Sequence, residues 1–123
     1  IHFAVVNEAD EYLGTISLKN IDYLNQNAEY AVVLGKKAIG KGVAKQATLE
    51  TLKYAFEALQ LERVYLCVFR DNVRARKFYD KFGFKYEGEF RQHMYGAYDN
   101  TLHDLQWYSI LRDEYLQLIT KER

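Results

Sequence analysis

Apolar-rich runs broken by short polar turns organise the first third of the chain. Ile1–Val6 reads as a strand, Asn7–Asp10 as a turn and Tyr12–Leu18 as a returning strand. Asn20–Asn27 is a polar connection, and Ala28–Leu34 supplies a third strand. Three successive strands on short connections predict an antiparallel meander. The pattern then changes period. Ala44, Ala47, Thr48, Thr51, Leu52, Ala55, Phe56 and Leu59 recur at helical spacing, while Lys45, Glu50, Lys53 and Glu57 fall on the other side. Val64–Phe69 returns to an apolar strand run, so strand, helix and strand predict a parallel crossover of Val64–Phe69 against Glu29–Leu34.

Beyond it, Asp71 and Asn72 are suited to cap a short helix over Val73–Phe82, with Gly83 at its C-terminal turn. Phe84–Glu89 restarts as a strand. Phe90–Tyr95 and Thr101–Leu111 flank a turn at Gly96–Asn100, and Arg112–Lys121 closes as a helix. Repeats, linkers and low-complexity stretches are absent. The expectation is one α+β domain over residues 1–123, with a mostly antiparallel mixed sheet, one parallel crossover and flanking helices.

Composition narrows the function classes. The 123 residues carry 17 Lys+Arg against 17 Asp+Glu, and this zero balance gives no field to draw in nucleic acid or an anionic membrane. Cys67 stands alone, which excludes a disulfide framework and a cysteine metal site. No apolar run approaches a membrane span. A cytoplasmic chain with no metal, nucleic-acid or membrane partner is expected. The 11 tyrosines and 7 phenylalanines suit strands and a pocket for flat or sugar-like groups.

The candidate chemistry starts at Gly35–Ala44. Gly40, Lys41 and Gly42 run directly into the first helix, and glycines there leave main-chain N–H groups open to an anion. Gly35–Gly42 nearly spells a nucleotide-triphosphate loop, but Gly42 stands where a hydroxyl must hold magnesium. A dinucleotide fingerprint needs a glycine three residues after Gly42, where Lys45 stands. A plain glycine-rich turn would also account for these glycines.

Two blocks in the right order decide among these. Ile39-Gly40-Lys41-Gly42-Val43-Ala44 is followed about 30 residues later by Asn72-Val73-Arg74-Ala75-Arg76-Lys77-Phe78-Tyr79-Asp80-Lys81-Phe82-Gly83-Phe84. Together they resemble the GNAT superfamily of acetyl-CoA-dependent N-acetyltransferases, over about Ile1–Tyr115. The superfamily's loop is Arg/Gln-x-x-Gly-x-Gly/Ala. Gly42 and Ala44 satisfy its last two positions, and Ile39 replaces the first. The resemblance implies acetyl transfer to a primary amine, with acetyl-CoA as co-substrate and no metal. It implies that Ile39, Gly40, Lys41, Gly42, Val43, Ala44 and Lys45 cradle the coenzyme A pyrophosphate. Val32, Val33 and Leu34 pair with the pantetheine arm on a strand edge splayed from Val64–Phe69, and main-chain N–H groups near Val32 or Val33 face the developing oxyanion. Asn72 touches the same arm. Tyr79 protonates the departing thiolate, and Glu29 is the expected base, directly or through water. His93 and His103, expected to face each other across the last hairpin, are rivals for that role. Tyr30 and Cys67 read as packing residues.

Acceptor identity is left open between branches. Gly-Lys-Gly-x-Ala and the Arg91-Gln92-His93…His103-Asp104 hairpin resemble the ribosomal-protein, or protein N-terminal, branch. Lys53–Leu59 with Asn72–Phe84 resembles acetyltransferases of a nucleotide-linked 4-amino sugar. Charge neutrality with Arg91, Tyr95 and Tyr98 on the hairpin favours a small sugar-linked amine. A coenzyme-A-binding module without turnover is the alternative of another class. The superfamily places a strand and two helices ahead of the position of Ile1, so an N-terminally incomplete domain and possible homodimerisation are expected.

Overall fold

A computed structural model describes residues 1–38 and 42–121. The chain divides into two compact units, Ile1–Val64 and Tyr65–Arg123.

In the first unit, β1 (His2–Val6), β2 (Tyr12–Asp22) and β3 (Asn27–Leu34) form the expected antiparallel meander with β2 in the middle. Phe3 pairs with Ile16, and Leu18 with Tyr30. Strand alternation sends these residues to one face together with Ala28. Helix α1 (Val43–Lys53) runs on through a π-helical turn at Tyr54–Ala58. It buries Ala47, Thr48, Thr51, Leu52, Ala55 and Phe56, the central part of the stripe read from the sequence. Phe3 meets Tyr54 edge-on at 5.3 Å between ring centroids. The wider turn is closed by the Leu59 N–H donating to the Tyr54 carbonyl at 3.0 Å, five residues back.

The Asn20–Asn27 connection is shorter than expected. β2 continues to Asp22 by absorbing one extra residue: Lys19 opposes Glu29, yet Asp22 opposes Asn27. Asn20 takes the kink at φ 52. Asparagine tolerates this left-handed backbone, so polar residues here signal a bulge as well as a turn. A single 3₁₀ turn, Lys36–Ala38, follows β3.

The second unit orders its strands as β4 (Arg63–Phe69), β6 (Leu102–Leu111) and β5 (Lys85–Tyr95), with β4 beginning at the end of the first unit. Helix α2 spans Val73–Phe82 with Asn72 and Gly83 at its ends, and α3 spans Arg112–Lys121, both where the pattern predicts. β5 and β6 pair antiparallel. The expected strands at Phe84–Glu89 and Phe90–Tyr95 are one strand carrying two irregularities, between Tyr86 and Gly88 and between Phe90 and Met94. Phe90 opposes Leu105, but Met94 opposes His103, so β5 has extra residues at Arg91–His93. Gln92 adopts φ 48 there and turns its N–H onto Asp104 Oδ1 at 2.7 Å. His93 and His103 therefore do not face each other as expected. Met94 takes that place, and the exposed His93 packs on Phe90 at 5.2 Å. The architecture is mixed α+β with mostly antiparallel strands.

Candidate functional site

Helix α1 begins in an unusual way. Gly42 is its N-terminal cap residue, in the left-handed conformation at φ 70 and ψ 7, and no side chain caps the helix. Among the described residues, a Cβ built on Gly42 would meet nothing within 4 Å. The first turn, with Val43, Ala44 and an exposed Lys45, contains no acid. Helix geometry leaves the first N–H groups without an intrahelical acceptor, and the macrodipole adds partial positive charge. An open, acid-free cap of this kind fits a diphosphate. Ile39, Gly40 and Lys41, the other loop residues expected to bind it, lie outside the described residues.

Beneath this turn a hydroxyl relay ties α1 to β3. Thr48 donates to the Ala44 carbonyl at 2.7 Å, which uses its one proton, so the Tyr30 hydroxyl donates to Thr48 Oγ1 at 2.7 Å. Burial pushes the Tyr30 phenol up to about 12. Tyr30 is thus a packing residue, as read from the sequence, and also a tether of the helix start.

The C-terminal end of β3 carries Val32, Val33 and Leu34. Val32 and Leu34 are half-buried, whereas Val33 is 75% exposed and points away from α1. Gly14 sets how close β2 approaches here. At φ 154, a Cβ on Gly14 would run into the Val33 carbonyl oxygen and stand 2.8 Å from Leu34 Cα. Sequence reasoning took Gly14 only as part of a strand, although a strand-interior glycine signals close backbone approach. Glu29 shares the Val33 side of β3. The β2 bulge brings Asn20 Nδ2 to 3.0 Å from Glu29 Oε1, and Lys19 Nζ lies 3.7 Å from Oε2. The side chain is only 12% exposed.

In the second unit Asn72 does what its residue type favours: Oδ1 accepts the Ala75 N–H at 3.2 Å, capping α2. Two turns along, Tyr79 is 7% exposed. Its ring meets Phe84 edge-on at 5.5 Å and lies 6.2 Å from Tyr108. These contacts fix the phenol rigidly on the helix. Gly83 and Phe84 both donate their N–H to the Tyr79 carbonyl, ending the helix.

His103 is the residue whose surroundings the sequence did not reveal. Its Nε2 lies 2.7 Å from Asp99 Oδ2 and 3.2 Å from Thr101 Oγ1, while Nδ1 lies 3.5 Å from Asp71 Oδ2. A carboxylate only accepts, so Nε2 carries a proton and donates it to Asp99. The Thr101 N–H, followed by His103, holds the Asp99 carboxyl below the usual carboxylate range. A general base needs a free lone pair facing its substrate. Here one nitrogen is a donor and the other looks at an anion, so His103 is poorly made for that role. Among the described residues no cluster of His, Cys, Asp or Glu is arranged to hold a metal ion, and no helix is long and apolar enough to cross a membrane.

Comparison with known proteins adds an independent line. A family model described as an acetyltransferase (GNAT) domain matches residues 1–85. The chain is 39% identical over 103 residues to a putative ribosomal N-acetyltransferase, YdaF, of Bacillus subtilis, covering 83% of this chain and 55% of that protein. It is 32% identical over 100 residues to a spermidine N(1)-acetyltransferase of Escherichia coli, covering 80% and 54%. A solved spermidine N-acetyltransferase of Vibrio cholerae superposes with a TM-score of 0.87 at 28% identity, over 94% of this chain and 67% of that one. The chain thus spans about half the length of these curated relatives. The uncapped glycine start of α1 and the Asn72–Phe84 helix block occur within a chain matched in sequence and in fold, and the chain belongs to the acetyltransferase (GNAT) family.

Proposed function

We propose that this chain is the core of an acetyl-CoA-dependent N-acetyltransferase acting on the primary amine of a small molecule. The observation that carries the reading is the start of α1: a left-handed glycine cap, open space above it and no side chain or acid to satisfy the helix N-terminus. Main-chain N–H groups at Gly42–Lys45 then hold the coenzyme A diphosphate, with Ile39, Gly40 and Lys41 completing the loop by resemblance. Acetyl-CoA supplies the acetyl group as a thioester.

The chain's own residues do the rest in this reading. The strand edge at Val32, Val33 and Leu34 pairs with the amide-bearing arm, as an added strand would, and its N–H groups stabilise negative charge on the thioester oxygen. Asn72 contacts the same arm while it caps α2. The Tyr79 phenol gives its proton to the leaving thiolate. Glu29 takes the amine proton through water.

Small-amine acceptors are supported by the named activity of the Escherichia coli and Vibrio cholerae relatives on spermidine. The finer expectation of a nucleotide-linked 4-amino sugar rests on the sequence resemblance and the tyrosine-rich hairpin alone. We place a polyamine first. Free-thiol release from acetyl-CoA, measured with spermidine, a UDP-linked 4-amino sugar and a peptide with a free N-terminus at equal concentrations, tests this. Fastest turnover of spermidine is expected. Preference for the peptide moves the acceptor to the protein branch, and tight coenzyme A binding without thiol release from any acceptor identifies a non-catalytic module.

A further inference from the structure

The turn between β4 and α2 is fixed from several sides within the second unit. The Arg70 N–H donates to the Asp104 carbonyl at 2.9 Å, and Arg76 Nη1 donates to the Arg70 carbonyl at 2.9 Å. Arg70 Nη1 lies 3.5 Å from Glu89 Oε1 and 3.6 Å from Asp104 Oδ2. Asn72 and Val73 donate their N–H groups to the Phe69 and Asp71 carbonyls. The remaining tie comes from His103, whose ring lies flat on Phe69 with centroids 4.3 Å apart and planes 8° apart. From that position, with a proton on each ring nitrogen, it bridges Asp99 in the β5–β6 turn and Asp71 beside the α2 cap.

A second, independent feature shows that the backbone is built around this bridge. A Cβ on Gly96 would collide with Asp99 Oδ1 and approach His103 Nε2 to 2.8 Å. Glycine at that position is what lets the carboxylate and the imidazole meet. Asp99 is further anchored by the Thr101 N–H at 3.1 Å, so the far end of the bridge is rigid.

We propose that Asp99–His103–Asp71 is a clamp that fixes the Arg70–Asn72 turn and so sets where the start of α2 presents Asn72. His103 is a positioning residue of this domain, acting through Asp71, and not the base that accepts the amine proton. The existence of the clamp is independent of the proposed function. Its effect on the cofactor rests on the reading of Asn72 as a contact to coenzyme A.

Two measurements separate those levels. Amide hydrogen exchange over Val73–Arg76 is compared among the wild type, His103→Phe, His103→Gln and Gly96→Ala. Phenylalanine keeps the stack on Phe69 and loses both nitrogen contacts, glutamine keeps one donor, and alanine at 96 displaces Asp99. Exchange about tenfold faster is expected in His103→Phe and Gly96→Ala, intermediate in His103→Gln, and unchanged in β1–β3. Asp71→Asn, at an exposed position, carries the test if any of these variants fails to fold. Unchanged exchange in these variants overturns the clamp. Steady-state kinetics then give a raised KM for acetyl-CoA, about fivefold, with kcat within about twofold of wild type. A loss in kcat of two orders of magnitude at constant KM would make His103 a catalytic base and overturn the positioning role. Faster exchange with unchanged KM leaves the clamp standing and overturns the assignment of Asn72 to the cofactor.

Discussion

The first two helices of this chain begin in opposite ways. α1 starts behind a left-handed glycine with no side-chain cap, whereas α2 starts behind Asn72, whose side chain takes the Ala75 N–H. Around Gly42 there is open space, and around Asn72 a set of bonds from Arg70, Arg76, Asp71 and Asp104. A helix start satisfied from within is a rigid platform. One left unsatisfied has free-energy reason to attract an anion from outside. The comparison therefore assigns binding to the start of α1 and positioning, with chemistry further along, to α2. Substitutions at the two should split between affinity and turnover.

The largest effect expected is on turnover, from α2. Tyr79→Phe keeps the ring contacts with Phe84 and Tyr108 and removes only the proton. kcat should fall by roughly 10²-fold with little change in the KM for acetyl-CoA. Turnover at the wild-type rate would reduce Tyr79 to an aromatic packing residue and leave thiolate protonation to water. Gly42→Val should act the other way round. The open space means no clash, but a β-branched residue at φ 70 is strained and would swing the first N–H groups of α1 away from their anion. Coenzyme A affinity measured by calorimetry should drop at least tenfold, about 1.4 kcal/mol. Unchanged affinity would remove α1 as the binding helix and with it the comparison.

Smaller still is Asn72→Ala, which asks how much the cap itself matters. Loss of a side-chain cap costs about 1 kcal/mol, read as a lower denaturant midpoint at unchanged slope. No equivalent loss is available at α1, which has no cap to remove. A midpoint equal to wild type would mean that the surrounding bonds, and not Asn72, hold the turn.

The sequence made the helices legible and left the strand irregularities hidden, for physical reasons. Val73–Phe82 is bounded by a capping asparagine and a glycine, and Arg112–Lys121 by a change of period after the strand run, which are local signals. The bulges at Asn20 and at Arg91–His93 are not local. Both replace expected turns or facing pairs by one or two extra residues that only the partner strand's register reveals. The pattern therefore points to Glu29 without its partner Asn20, and sets His93 opposite His103 where Met94 stands. The site shows the same division. Gly42, Asn72 and Tyr79 stand at element boundaries or on a periodic face. Gly14, Thr48 and Gly96 matter through approaches between residues far apart in sequence: to Val33, to Tyr30, and through Asp99 to His103.

The last test concerns how the open start of α1 is kept in place without a cap. The structure assigns that to Tyr30, through Thr48, to the Ala44 carbonyl. Tyr30→Phe leaves the Thr48–Ala44 bond intact and removes one buried neutral hydrogen bond, so the cost should be about 0.5–1 kcal/mol, the smallest in the series. The pH dependence makes it specific. A phenol raised from 10 to about 12 in the folded state holds its proton more tightly there than in the unfolded chain. Its contribution is fully present below pH 10 and is lost as the pH climbs from 10 through about 12, because the folded state binds more protons over that window. Wild-type stability should therefore fall more steeply across that window than Tyr30→Phe stability, and the two denaturation midpoints should converge and then cross as the pH rises. Parallel curves would show that the Tyr30 hydroxyl is not buried against Thr48, and the start of α1 would then need another tether.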